Sequence, residues 1–252
     1  MEGDEAKNHY IRRKIRVIMF GKNISGPRLK AMVWLSTALY IILALLYFLP
    51  VELPYEITFP VTVIAIFSLW LVPMPMSVAL IASAAGDLMG AAGNFMAQME
   101  CFAVANLFIS LFFLQRLFQT GKASVKNFSA ILTKKRVAYL TVTGIGVAAI
   151  LMMSMISIVP EVPAGVQRAG VAFYSIVVAL MFYSALMQRS IFYAVGAFLF
   201  VISDFILAWN TFIEPIEYSR YLIMVPYFVS EWMFYVRATK YRVGKSILLA
   251  RL

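Results

Sequence analysis

Ser190–Trp209 reads SIFYAVGAFLFVISDFILAW, twenty residues with one charge, at Asp204. A helix that crosses the hydrocarbon core of a bilayer needs about 20 predominantly apolar residues, so this stretch is long enough to span. Asp204 sits well inside it. An aspartate at the centre of such a helix costs roughly 2.5 to 3.5 kcal/mol to insert, which makes it a functional candidate by default. Pro75–Gly93, PMSVALIASAAGDLMGAAG, repeats the pattern with one charge, at Asp87. Each aspartate follows a small residue, Gly86 or Ser203, and leads a further apolar run.

The rest of the chain agrees. It has 252 residues, 62% hydrophobic and 13% charged, with a mean hydropathy of +0.84. A soluble domain carries about 25% charge, so a bilayer is the environment this composition fits. Eight apolar runs stand out, at 31–49, 57–72, 75–93, 95–114, 136–158, 168–187, 190–209 and 218–237. They predict an all-α polytopic membrane protein of eight transmembrane helices. Residues 1–30 form a basic N-terminal segment, 31–237 the membrane domain and 238–252 a basic tail. Pro73 and Pro75 divide the second run from the third, and Gly93-Asn94 divides the third from the fourth. The first run follows a long basic leader without a small-residue cleavage motif, and reads as a retained helix and not a removed signal peptide.

Charge placement supports the even count. Residues 1–30 hold eight Lys and Arg, the 115–136 connection six, the 188–190 turn one and the chain from Arg237 onward five, twenty of the 22. Eight spans put all twenty on one side. Arg168 and Arg220 fall on the other, with Glu52, Glu56, Glu161, Glu214 and Glu217. The positive-inside rule then makes both termini cytoplasmic in an inner or plasma membrane. The net charge of +10 flanks the spans and is not interleaved with aromatics on a folded surface. Anionic lipid headgroups, not nucleic acid, are the partner it fits.

Cys101 and His9 are the only cysteine and histidine. They can build no disulfide framework, zinc site or histidine-based triad, so no metal or cofactor is expected and any chemistry falls to carboxyl groups. Besides the two aspartates, Glu100 and Asn106 in the fourth run and Glu231 in the eighth lie within apolar sequence. None has a Lys or Arg partner at mid-depth, which argues against buried ion pairs. For each of these residues a hydrogen bond between helices is the competing explanation. Gly86 and Gly90 form a GxxxG pair, a packing surface for a neighbouring helix.

The third and seventh runs align at a spacing of 117, with Asp87 on Asp204, Ala91 on Ala208 and Phe95 on Phe212. Three runs lie between them, so both cross in one direction, as a parallel four-plus-four duplication requires. Coincidence in an apolar background explains three matches more simply. Counted from Pro75 and Ser190, the aspartates lie about 18 and 21 Å from the cytoplasmic ends. Two acids at similar depth suit one shared cavity.

Ala82-Ser83-Ala84-Ala85-Gly86-Asp87 resembles the first signature of the YhhN-like membrane family, and Gly196-Ala197 through Phe200 to Ser203-Asp204 its second. Pro60 and Tyr227 are similar to further family positions. The resemblance implies eight spans and the activity of the lysoplasmalogenases in that family. These enzymes hydrolyse the vinyl ether bond of a lysophospholipid substrate, a lysoplasmalogen, to a fatty aldehyde and a glycerophospho-base. It also implies that Asp87 and Asp204 are the catalytic pair, with Asn106, Glu231, Glu100, Ser203 and Tyr227 binding substrate or tuning the acids. Four positions depart from the family pattern. Phe59 stands for a lysine, Glu100 for a glycine, Asn106 for a histidine and Glu231 for a glutamine.

Vinyl ether hydrolysis is protonation at carbon followed by capture of the oxocarbenium ion by water. One carboxylic acid and one carboxylate suffice, as in glycoside hydrolysis. The parallel is one of chemistry and not of fold. A non-catalytic lipid-binding or proton-coupled transport protein would use the same buried acids, and a structural subunit would need them only for packing.

Overall fold

The computed structural model describes residues 26–50, 54–120, 134–188 and 190–249, and among these it is all helical. The basic leader before Gly26, with His9, lies outside the described residues, as do residues 121–133 of the basic connection, Arg189 and the last three residues.

Eight α-helices follow one another: α1 Gly26–Leu46, α2 Thr58–Leu71, α3 Met74–Ala91, α4 Phe95–Thr120, α5 Lys134–Ser157, α6 Val166–Leu186, α7 Ile191–Phe212 and α8 Ser219–Leu249. Each of the eight apolar runs became one helix. Six of them, α1 and α3 through α7, are long and apolar enough to cross a membrane. α2 has 14 residues, about 21 Å of rise, and α8 turns polar in its second half.

Local chemistry sets the breaks. Pro73 is extended at φ −63, ψ 148 and Pro75 occupies the first turn of α3, where its missing N–H costs nothing. At the other end Gly93 takes φ +75. Its N–H bonds Gly90 O at 2.9 Å and that of Asn94 bonds Met89 O at 2.9 Å, a Schellman closure that satisfies the last carbonyls. Asn94 then opens α4 by accepting the N–H of Ala97 on Oδ1 at 3.1 Å. This turn folds α3 back onto α4, and the two pack closely, as do α7 and α8.

The bundle is apolar outside and partly polar within. Trp34 is 77% exposed and Met152 63%, with Leu45, Ile66, Ile145 and Phe173 also exposed. Buried side chains include Ser36, Ser83, Asp87, Asn106, Ser203, Ser230 and Glu231. In water so large an exposed apolar surface would drive association. In lipid it is the expected exterior, and the chain is a polytopic membrane protein.

α8 is the hub, touching α1, α2, α3 and α7, while α5 rests against α6 at the edge. Gly196 brings α7 and α8 together: a Cβ there would meet Met233 Cβ and the Phe234 ring at 3.3 Å. Gly86 does the same for α3 and α4, with the Phe102 ring 3.2 Å from its missing Cβ. The Gly86–Gly90 stripe is therefore a packing face, turned toward α4.

Candidate active site

Asp87 and Asp204 sit at matched depth, each thirteen residues past the first residue of its helix, Met74 or Ile191, about 20 Å along the axis. Their surroundings differ. Asp87 is 1% exposed and accepts the Tyr227 hydroxyl on Oδ2 at 2.9 Å. Asp204 is half-buried and accepts the Tyr174 hydroxyl of α6 on Oδ2 at 2.7 Å.

Four residues on two helices fix the Asp87 side. Ser83 and Asp87 are one turn apart on α3, and Tyr227 and Glu231 one turn apart on α8, so each pair shares a helix face. The helices run antiparallel, and the faces meet twice. Tyr227 bonds Asp87, and Ser83 Oγ donates to Glu231 Oε1 at 2.9 Å. Glu231 is 1% exposed, and its other oxygen, Oε2, has no hydrogen-bond partner.

Asn106, fully buried on α4, donates from Nδ2 to Phe102 O at 2.9 Å. Its Oδ1 is unpartnered. Glu231 lies within electrostatic range of both Asp87 and Asp204. No hydrogen bond joins the two aspartates directly. With Glu231 and Asn106 they make up a polar cluster in the bundle interior.

Two clefts reach this cluster, and both reach it at Asp204. The first, of about 390 Å³, lies among α4, α6 and α7 and is lined by Phe95, Gln98, Phe102 and Phe212 among others. The second, of about 570 Å³, lies among α5, α6 and α7 and runs from Val147 and Phe182 to Ile158. Val171, Tyr174, Asp204 and Ala208 line both. Asp87 lines neither. The Phe102 ring forms part of the wall of the first cleft and packs on Gly86, beside Asp87. It also stands edge-on to the Tyr227 ring at 5.7 Å and the Phe200 ring at 6.2 Å. The Phe102 and Phe200 rings thus pack on the Tyr227 ring from α4 and α7.

Of the remaining sequence candidates, Tyr227, Glu231 and Asn106 join the cluster. Ser203 does not. Its hydroxyl donates to the Ile223 carbonyl at 2.8 Å, close to Pro226, whose ring interrupts the backbone bonding of α8. Glu100 is exposed on α4 and lines neither cleft. Two contributors went unrecognised in the sequence, Ser83 and Tyr174. The four-residue spacings Ser83–Asp87 and Tyr227–Glu231 were a usable signal for the first, and a hydroxyl in an apolar run for the second. Among the described residues no three His, Cys, Asp or Glu side chains cluster so as to hold a metal ion.

The class is thus a polytopic helical membrane protein with carboxyl groups gathered inside its bundle. A family model described as the YhhN family matches residues 58–238, from the start of α2 into α8. The chain belongs to that family. No curated protein and no solved structure matches it.

Proposed function

We propose that the protein is a membrane-embedded hydrolase that cleaves the vinyl ether bond of a lysoplasmalogen, or of a related single-chain lysolipid. The observation that carries this reading is Asp204, a carboxyl group bonded to Tyr174 where two apolar clefts meet. A single-chain amphiphile needs an apolar channel with one polar point along it, and this geometry supplies both. As a carboxylic acid, Asp204 gives its proton to the alkene carbon: the O–H bond breaks, a C–H bond forms and an oxocarbenium ion remains. The carboxylate stabilises that cation and takes a proton from the water that captures it. The hemiacetal then collapses to aldehyde and alcohol, and the acid is regenerated. Tyr174 orients the carboxyl group through its hydroxyl. Asp87 acts from behind, through Tyr227 and the cluster.

The same reading takes all eight helices as spans in a cell membrane, with both termini and the basic segments at the cytoplasmic face near anionic headgroups. It retains the four-plus-four repeat, for which the equal depths of Asp87 and Asp204 and the 5.3 Å edge contact of Phe95 with Phe212 are support.

The test is purified protein with lysoplasmalogen, following fatty aldehyde, against Asp204→Asn and Asp87→Asn. Release that depends on Asp204 supports the reading. Release undiminished in both variants removes it. A second reading, a lipid-binding or proton-coupled transport protein, is favoured by the sealing of Asp87 from both clefts. Proton-driven solute uptake without lipid cleavage would support that reading instead.

A further inference from the structure

We propose that the two clefts give the bound lysolipid a direction: its hydrocarbon chain lies in the second cleft, between α5 and α6, and its glycerol side in the first, beside Gln98. Ala179 and Phe182 of α6 then set the chain length that the site accepts. The inference rests on the hydrolase reading for the substrate's polar end, but the placement of the chain does not depend on cleavage.

The clefts overlap from Ala208 to Asp204 and part there. α6 and α7 are antiparallel, since Tyr174 bonds Asp204 and, further along α6, the Phe182 ring meets Phe198 at 6.2 Å. On α7 the first cleft continues from Asp204 to Phe212, about 12 Å along the axis. The second continues on α6 from Tyr174 to Phe182, about 12 Å the other way.

Polar bonds clamp the second cleft at both ends. At the end near Asp204, Ser175 Oγ donates to Val171 O at 2.9 Å, which leaves Ser154 as donor in the 3.0 Å bond between the two hydroxyls. At the other end, Tyr183 donates to Leu140 O at 3.3 Å and Tyr139 to Leu186 O at 3.2 Å, pinning α5 to α6 beyond Phe182. Between the clamps Val147, Ile150 and Leu151 of α5 stand with Val178, Ala179 and Phe182 of α6. None has a hydrogen-bonding side chain, so a glycerol or phosphate there would lose its bonds to water without replacement. A hydrocarbon chain has none to lose. Ala179 is half-buried in this wall, and the buried Phe182 ring stands at its far end. The first cleft differs by holding Gln98, whose carboxamide carbon lies 2.6 Å from where a Cβ on Gly90 would stand. Glycine at 90 thus leaves room for an amide on the approach to Asp204, and an amide both donates and accepts, as a glycerol hydroxyl requires.

Two measurements test the direction. The first uses a lysophospholipid with an ordinary alkyl ether, which has no alkene to protonate, and a photoreactive diazirine at the end of its chain. Irradiated with the wild-type protein in lipid nanodiscs, it should crosslink to α5 and α6 near Val147 and Phe182. Crosslinks near Phe95 and Phe212, or only on the outer faces of the helices, overturn the proposal. The second follows aldehyde release from lysoplasmalogens of different chain length. Ala179→Phe should lower kcat/KM for the longest chain relative to the shortest by about tenfold or more, the scale on which a hydrophobic pocket discriminates bulk. Phe182→Ala, which opens the far end, should move the ratio the other way. Ratios unchanged in both variants overturn the proposal. Absence of aldehyde release by wild type would end the hydrolase reading alone, and the crosslinking would still decide where the chain lies.

Discussion

Ser83 donates to Glu231 across the α3–α8 interface, one helical turn from the bond that Tyr227 makes to Asp87. The two bonds form a ladder between antiparallel helices, so the register of α3 on α8 is fixed by polar groups inside an apolar bundle. Hydrogen bonds between membrane helices average about 0.6 kcal/mol and reach about 1.7. Ser83→Ala removes the one donor that Glu231 has among the described residues and leaves both its oxygens unpaired. It should therefore cost more stability than Ser110→Ala, whose hydroxyl bonds the Asn106 carbonyl of its own helix. Unfolding in mixed micelles ranks the two variants. Equal loss would mean that the ladder contributes nothing beyond ordinary helix bonding.

Tyr174→Phe removes the hydroxyl that orients Asp204 and keeps the ring in the wall of both clefts. A general acid held in place contributes typically 10²–10⁴-fold to rate, and loss of its orienting bond should remove part of this. We expect kcat for aldehyde release to fall roughly 10- to 100-fold with KM little changed, because cleft shape is retained. Steady-state kinetics with lysoplasmalogen checks the split. A rise in KM alone would make Tyr174 a binding residue and leave Asp204 free of it.

How much of this was legible in the chain follows from the range over which each signal acts. The eight helices were readable because hydropathy and proline or glycine breaks are local. Their ends were less so: α4 continues to Thr120 and α8 to Leu249, past the apolar runs at 114 and 237. Hydropathy marks where a helix meets lipid, and a helix that continues into polar sequence keeps its backbone bonds without that mark. The importance of Asp87, Asp204 and Glu231 could be raised from residue type alone, and that of Tyr227 from the family resemblance. The register joining residue 83 to 231 could not, since 148 positions separate them and many pairings suit two apolar helices. Glu100 shows the opposite limit. It lies two residues from buried Phe102, on the other side of α4, and the burial of that neighbour was not visible in the sequence.

Ser203 adjoins Asp204 in sequence, yet its hydroxyl is spent on the Ile223 carbonyl beside the break at Pro226. Ser203→Ala should lower stability by about 1 kcal/mol, the ordinary net worth of such a bond. Aldehyde release per folded molecule should stay within about twofold of wild type. Comparing activity with the folded fraction, measured by size-exclusion chromatography in detergent, separates the two effects. A large loss of kcat with the fold intact would return Ser203 to the site.

The unequal access of the two aspartates can be read chemically. A hydrophobic carbodiimide dissolved in lipid enters apolar clefts and modifies carboxyl groups that it reaches. In the wild-type protein it should label Asp204, which lines both clefts, and spare Asp87, which lines neither. Phe102 is the wall between, since its ring lines the first cleft on one side and packs on Gly86 on the other. Phe102→Ala should open that wall and let Asp87 label as well. A Phe-to-Ala change in a core costs about 3–5 kcal/mol, so Phe102→Leu, which keeps more of the volume, serves as the milder variant and should give intermediate labelling of Asp87. Peptide mapping by mass spectrometry distinguishes the two sites, because Asp87 and Asp204 lie on different helices. Labelling of Asp87 in the wild-type protein at the rate of Asp204 would show that both acids meet the lipid phase. The division between a cleft-facing and a sealed carboxyl group would then be lost, and with it the argument that Asp87 acts from behind, through Tyr227.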